Sequence, residues 1–307
     1  MRIFAALAAL LLLPGWLGLL GNWHWVLDLL SHSRWQYLFA AAAVAVWAIW
    51  SRRRAILALA LLTLLLNAAL IGQLAWQPQL RSAALAPDFQ LRVQSLNVRT
   101  SNTDSHAVIQ EVLASDADVI VFIEVDARWM RALRSLDARY PFQIAHPQPD
   151  NFGIALFSRL PFTDGEVLRL GSAQRASIAV TVTQAGRQVR VIGTHPPPPM
   201  SRQMAAHRDD QLAQLAGLVE RSALPVILVG DLNATPWSAG MRLLTAGALG
   251  LRGLDPPWAP TWRVRSPFAI PIDHALCTAP LVITRRQVGA DVGSDHRPII
   301  AEFGWIQ

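Results

Sequence analysis

Val226-Ile227-Leu228-Val229-Gly230-Asp231-Leu232-Asn233 decides the reading of this chain. Four apolar, mostly β-branched residues run without interruption, stop at a glycine, and deliver a carboxylate and an amide two positions apart. Such a run, bounded by turn residues, reads as a buried strand, which places Asp231 and Asn233 just beyond its C-terminal end. The same pattern recurs along the chain. Asn97 closes an alternating run over 91–96, and Glu124 follows Val119-Ile120-Val121-Phe122-Ile123. His195 follows Val191-Ile192-Gly193-Thr194, Asp273 stands in Pro271-Ile272-Asp273-His274, and Asp295 and His296 stand in Gly293-Ser294-Asp295-His296-Arg297-Pro298.

Polar groups at strand ends gather on one rim of a sheet, where sites form. Carboxylates with an amide suit a hard, oxygen-seeking cation such as Mg²⁺ or Mn²⁺. Imidazoles beside an Asp suit proton transfer and charge stabilisation. Together they describe metal-assisted attack of water on a phosphoester. Taken singly, each has a plainer reading: Glu124 as an acid at a helix start, Asn97 as a turn residue, Asp231-Leu232-Asn233 as a capped turn. Six of them in one order make coincidence a poor account. His106, His146 and His207 read as surface or capping histidines, Asp209 and Asp210 as a solvated helix face, and Cys277 as a small core residue.

Outward from these motifs, strands are expected over 91–96, 118–123, 153–157, 177–183, 189–193, 225–229 and 298–303. Helices are expected over 106–114, 126–137 and 201–221, the last with Ser201 as its N-cap. Pro196–Pro199 is a stiff extended loop after a strand. Hairpin-spaced strands with interleaved helices predict mixed sheets with helices outside.

The first ninety residues differ. Of 307 residues, 52% are hydrophobic and 16% charged, well below the ~25% charge of soluble domains. Three uncharged apolar runs, 3–20, 35–50 and 55–76, account for this. The first spans about 27 Å as a helix, and seven of the twelve Trp fall in this part, as suits bilayer interfaces. A buried bundle of a soluble protein or a cleaved leader for the first run are the other readings. Residues 1–76 therefore read as a membrane anchor with three transmembrane helices, 77–90 as a linker, and 91–307 as a catalytic domain. Arg52, Arg53 and Arg54 separate the second and third runs, which puts that loop inside and everything after Trp76 outside. The expected location is the inner (plasma) membrane, multi-pass, with the domain periplasmic or extracellular. Residues 91–307 carry 21 Arg against 19 acids, a weak balance for a duplex-binding protein. One Cys excludes an intramolecular disulfide framework.

The motifs and their order resemble the endonuclease/exonuclease/phosphatase (DNase I-like) superfamily, over essentially all of 91–303. The anchor resembles its membrane-bound branch, which includes teicoplanin-resistance-type proteins. The resemblance implies an α/β (α+β) fold, a four-layer sandwich of two mixed β-sheets flanked by helices. It implies that Asn97, Glu124 and Asp295 serve the metal, with Glu124 the principal ligand. His195 then contacts the phosphate, Asp231 orients or deprotonates the attacking water, Asn233 steadies Asp231, and Asp273 pairs with His296. Arg175 is a phosphate-binding candidate. The usual Gln before the metal Glu is Ile123, and the usual aromatic after the late Asp is His274. The leading expectation is an extracytoplasmic phosphoesterase acting on a phosphate ester or pyrophosphate, lipid-linked substrates included, with the membrane as its surroundings and no protein partner implied. An extracytoplasmic nuclease is the alternative, and a non-catalytic interaction module the second.

Overall fold

The computed structural model describes residues 2–75, 84–245, 252–253 and 259–307. Residues 84–307 build two six-stranded sheets. β1 (Leu91–Asn97), β2 (Val119–Ile123), β3 (Phe142–His146) and β4 (Ile154–Ser158) open the first sheet. β5 (Phe162–Leu170), β6 (Arg175–Gln184), β7 (Arg187–Thr194), β8 (Val226–Asp231), β9 (Arg252–Gly253) and β10 (Asp273–Cys277) form the second. β11 (Leu281–Val288) and β12 (Ile299–Trp305) return to the first, giving the orders β11-β12-β1-β2-β4-β3 and β5-β6-β7-β8-β10-β9.

The sheets pack face to face because alternate residues of both are apolar on the facing sides. Val93, Val119 and Val121 of the first meet Ile178, Val180, Val191 and Ile227 of the second in one core. The other faces are apolar too and are covered by helices. α5 (Ser105–Ser115) and α6 (Ala127–Leu133) cover the first sheet through Val108, Val112, Trp129 and Leu133. α7 (Arg202–Arg221) and α8 (Ala239–Thr245) cover the second through Leu212, Leu215, Val219 and Met241. The result is the expected helix–sheet–sheet–helix order. Ser201 caps α7 by accepting from Met204 N at 3.1 Å. The helix expected over 126–137 ends at Leu133 and continues as a 3₁₀ turn over Arg134–Leu136.

Residues 77–83 of the expected linker lie outside the described residues. Residues 84–90 are packed onto the domain: Leu85 bridges Ile306, and Phe89 is buried against Trp305.

The N-terminal part is helical: α1 (Arg2–Leu17), α2 (Trp25–Ser31), α3 (Arg34–Trp50) and α4 (Arg54–Ala75). Of three expected spans, only one described helix, over Arg54–Leu74, is long and apolar enough to cross a membrane. Phe4–Leu20 with Trp25–Ser31 passes as a pair bent by 115°. α3 has the composition but stops at 17 residues, because Ser51 and the three arginines end it. Only 22% of the apolar window of α4 is buried, unlike the core helix of a soluble protein. Phe39, Val46, Ile49, Leu61, Leu62 and Leu65 present apolar surface outward.

This helical part is locked to the two-sheet sandwich by an ion pair that no motif announces. Asp28, in α2, accepts from Arg208 Nη2 at 2.8 Å and from Ala239 N at 2.6 Å. Both members of the pair are almost wholly buried, at 2% and 1% exposure. Arg208 also donates to the Asn233 carbonyl at 3.2 Å. Removing one member of a buried pair leaves an uncompensated charge. We therefore expect Asp28→Ala to destabilise the full chain by about 3–5 kcal/mol, whereas Asp28→Leu with Arg208→Met recovers most of it. Thermal unfolding in detergent micelles checks both.

Candidate active site

Strand register brings the polar residues together. β1 runs parallel to β2 with Asn97 opposite Ile123, so Asn97 and Glu124 leave the first sheet side by side. β7 runs parallel to β8 with Thr194 opposite Gly230, and β10 runs antiparallel with Asp273 opposite Asp231. The C-terminal ends of four strands and the start of β10 thus share one rim. Gly230 is needed for this: its φ is 155°, and a Cβ there would sit 2.0 Å from the Thr194 carbonyl oxygen. Any side chain would push β7 and β8 apart where His195 must approach Asp231.

Asp231 is the hub. One of its oxygens lies 3.5 Å from His195 Nε2 and 3.6 Å from His296 Nε2, and accepts from Asn97 Nδ2 at 3.3 Å. The other accepts from Asn233 N at 3.0 Å. The same Asn97 amide donates to Glu124 at 3.0 Å, so one side chain ties two carboxylates together. Glu124 also accepts from Thr100 N at 3.2 Å. His296 Nδ1 pairs with Asp273 at 2.9 Å. Asp295 accepts from Trp262 Nε1 at 3.3 Å and faces Arg99 at 3.7 Å. Ser294 Oγ donates to the Asn97 carbonyl and accepts from His296 N, joining the late motif to β1.

Arg175 stands off this group, stacked over the Phe152 ring at 3.7 Å and paired with Asp150 at 3.3 Å. The Phe152 ring in turn lies 5.4 Å from that of His195. His274 is buried and its Nε2 bonds the Ala234 carbonyl, so it packs rather than lining the site. Sequence reading missed Thr100, Thr261 and Trp262. Thr261 Oγ1 holds the backbone N–H of Asp273 at 3.1 Å. The Trp262 indole reaches Asp295 while its ring lies 6.4 Å from His296. Neither belongs to a strand-end motif; only the local wealth of Trp and Arg could have drawn attention to them.

Electrostatics follow from the packing. Burial alone pushes the Asp231 carboxyl up, but the charge of His296 and the hydrogen bonds of His195 and Asn233 outweigh it and hold it down at about 2. Burial pushes His296 down, yet the charges of Asp273, Asp231 and Asp295 win and raise it to about 10. His296 is therefore an imidazolium at neutral pH and Asp231 a carboxylate.

Two groups of residues could hold a cation. Asp231, Asp273 and His296 offer ligand atoms within 4.8 Å of one another. Glu124 is a half-buried carboxylate with no ion-pair partner among the described residues, set beside a second carboxylate by the Asn97 amide. An all-oxygen set with excess negative charge fits a hard divalent ion.

A model of the endonuclease/exonuclease/phosphatase family matches residues 95–296, about two thirds of the chain and all of the rim. The chain belongs to this family. It is thereby a hydrolase acting on phosphoester bonds, in a family that generally depends on divalent metal. No curated protein matches the sequence. Among solved structures, the human nocturnin catalytic domain with bound sulfate is 20% identical, with 75% of this chain and 100% of that one covered, at a TM-score of 0.57. Sphingomyelinase C from Streptomyces griseocarneus is 20% identical over 71% and 99%, at 0.52. D. rerio TDP2 complexed with single-strand DNA product is 16% identical over 70% and 99%, at 0.60. At these identities the likeness is one of fold.

The pKa directions predict how the stability of the metal-free protein varies with pH. His296 is raised above its ordinary 6.5, so its contribution is complete below pH 6.5 and fades as the pH climbs to about 10. Asp231 is lowered from 3.8, so its contribution holds above that pH and fades toward pH 2. Denaturation in chelator across this range should show a plateau falling at both ends. Asp273→Asn should flatten the alkaline fall.

Proposed function

We propose that this protein is a membrane-anchored, divalent-metal-dependent phosphoesterase whose catalytic domain faces the extracytoplasmic side and hydrolyses a phosphate ester or pyrophosphate, lipid-linked substrates included. The observation that carries the reading is the convergence of His195, His296, Asn97 and Asn233 on the one buried carboxylate of Asp231. Glu124, with Asn97 and Asp295, would hold the metal. Glu124 fits this role better than the Asp231–Asp273–His296 group, because an imidazolium held between carboxylates has no free lone pair for a cation. A hard cation there supplies positive charge to the phosphoryl oxygens.

The side chains divide the remaining work. Asp231, ionised and of low basicity, orients the attacking water through a hydrogen bond and draws its proton as the new bond forms. Asn233 fixes one oxygen of Asp231, leaving the other toward the water. His296 presents a positive Nε2–H to the phosphoryl oxygens, where charge grows, and Asp273 keeps it charged and aimed. His195, against the Phe152 ring, bounds the opposite wall. Arg175 adds a cation beyond it.

Support for the topology comes from where the domain sits. Asn22, Asp28, Gln36 and Leu70 contact it through Arg242, Arg208, the 267–269 segment and Trp237. All four lie at the end of the helical part remote from Arg52–Arg54. If the three-arginine loop is inside, the domain is outside.

Glu124→Gln and Asp231→Asn should each lower metal-dependent turnover of a chromogenic phosphodiester by about 10²–10⁴-fold. Excess metal should restore part of the first loss and none of the second. His296→Ala should be severe and Asp273→Ala milder. Near-normal turnover in Asp231→Asn would overturn this division of roles, and preferred cleavage of plasmid DNA would shift the reading to a nuclease. An export-dependent reporter fused after Gln307 should be active, and one that works only in the cytoplasm silent.

A further inference from the structure

The contacts between the anchor and the domain fall on one side of the sandwich, and it is the side of the active site. Trp237 lies four residues beyond Asn233 and donates to the Leu70 carbonyl at 3.1 Å. The 259–272 segment, which supplies Thr261 and Trp262 to the site, is gripped by Gln36, whose amide donates to the carbonyls of Pro267 and Ala269 at 3.2 and 3.0 Å. Arg202, at the start of α7 and seven residues past His195, reaches His24 at 3.2 Å. The buried Asp28–Arg208 pair makes this arrangement rigid.

Two apolar side chains stand free on that same rim. Met200 ends the proline loop that follows His195 and is 77% exposed; Phe268, between the two carbonyls held by Gln36, is 63% exposed. Trp23, in the outer loop of the anchor, is 78% exposed. In water, three large apolar groups left this exposed would be unfavourable. At the level where helices α1, α3 and α4 leave a bilayer, they match the aromatic and apolar residues that enter the headgroup layer. Pro196–Pro199 holds Met200 out on a stiff extended arm, anchored where the Pro196 carbonyl accepts from Asn233 Nδ2 at 3.0 Å.

We propose that the active-site mouth is pressed onto the outer face of the membrane, with Met200 and Phe268 dipping into it, and that the substrate is a lipid carrying its scissile phosphate in the headgroup layer. The inference rests on the membrane-anchored phosphoesterase reading. The occupant of the apolar rim is the bilayer itself, since the rim is continuous with the apolar helices. A water-soluble phosphoester reaches Asp231 from the side; a lipid phosphate reaches it by sliding beneath Met200 and Phe268 without leaving the membrane.

The test uses the full chain in nanodiscs of phosphatidylethanolamine and phosphatidylglycerol. Nitroxide labels are placed at Met200→Cys, Phe268→Cys and, as the aqueous control, Thr183→Cys, exposed at the far end of β6; Cys277 is buried. Labels at 200 and 268 should collide more with dissolved oxygen than with a water-soluble nickel chelate, and the label at 183 the reverse. If either rim label behaves like the control, the inference is overturned. In parallel, Met200→Gln with Phe268→Gln should leave turnover of a soluble chromogenic phosphodiester unchanged and lower turnover of phosphatidic acid or phosphatidylglycerol in the same discs at least about tenfold, as even partial loss of two apolar contacts implies. Equal effects on soluble and lipid substrates would also overturn it. If the wild-type chain with Mg²⁺ or Mn²⁺ turns over none of these, the phosphoesterase reading fails, and the labels alone decide whether the mouth meets the membrane.

Discussion

A carboxylate buried to 2% exposure is costly unless its charge is answered on every side. Asp231 is answered by two imidazoles, a backbone N–H and an amide, and these come from both sheets. Asn97 belongs to the first sheet and Asp231 to the second; their hydrogen bond closes the gap between the layers at the rim. A slip of one residue in β8 would turn Asp231 to the other face of its sheet. The register of the sandwich and the ionisation of its central carboxylate therefore depend on each other. The same network gives the site its polarity: the protein spends no charge neutralising Glu124, and holds His296 positive by surrounding it with three carboxylates.

How much of this was legible depended on where each residue sits in its element. Asp231, His195 and Glu124 were readable because each follows a mostly apolar run long enough to be a central strand, and Asn97 because it closes an alternating one. β10 was not readable as a strand, since Asp273-His274-Ala275-Leu276-Cys277 is short and begins with two polar residues, though both are buried. β5 was missed for the opposite reason: as an edge strand, most of Phe162–Leu170 faces solvent and lacks any apolar period. Thr261 and Trp262 act through geometry alone. Their segment has no regular structure to predict, and its position is set by a bridge between Trp262 and His296 that only the folded chain reveals.

Helix α7 shows a limit of reading charge along a sequence. His207-Arg208-Asp209-Asp210 has the look of a solvated helical face, and Asp210 behaves so, accepting from Ser172 near the surface. Arg208 faces the other way. Its guanidinium is buried between Asp28, Asp209 and the Asn233 carbonyl. The partner lies 180 residues away in another part of the chain, in a stretch whose composition suggested nothing but a connection between two apolar runs. A planar guanidinium with several donors suits such a three-way junction where an ammonium would not. The helical part is thus a structural neighbour of the site, and its Asp28 is joined through Arg208, by two hydrogen bonds, to the Asn233 that holds Asp231.

Backbone conformation points the same way. Arg99, Glu124, Asn233 and Arg263 all have positive φ, between 49° and 64°, a region costly for side chains other than glycine. Asn tolerates it; Arg and Glu do so at a cost. Each of the four either belongs to the rim or lies within two residues of a side chain that does. Left to local preference, Glu124 would continue the extended course of β2. The turn at positive φ carries it to the Asn97 amide, which also donates to Asp231. Hydrogen bonds from Thr100 and Asn97 hold it there. Backbone strain is thus accepted at the position where the Glu124 carboxylate meets the Asn97 amide, and the hydrogen bonds from Thr100 and Asn97 offset its cost.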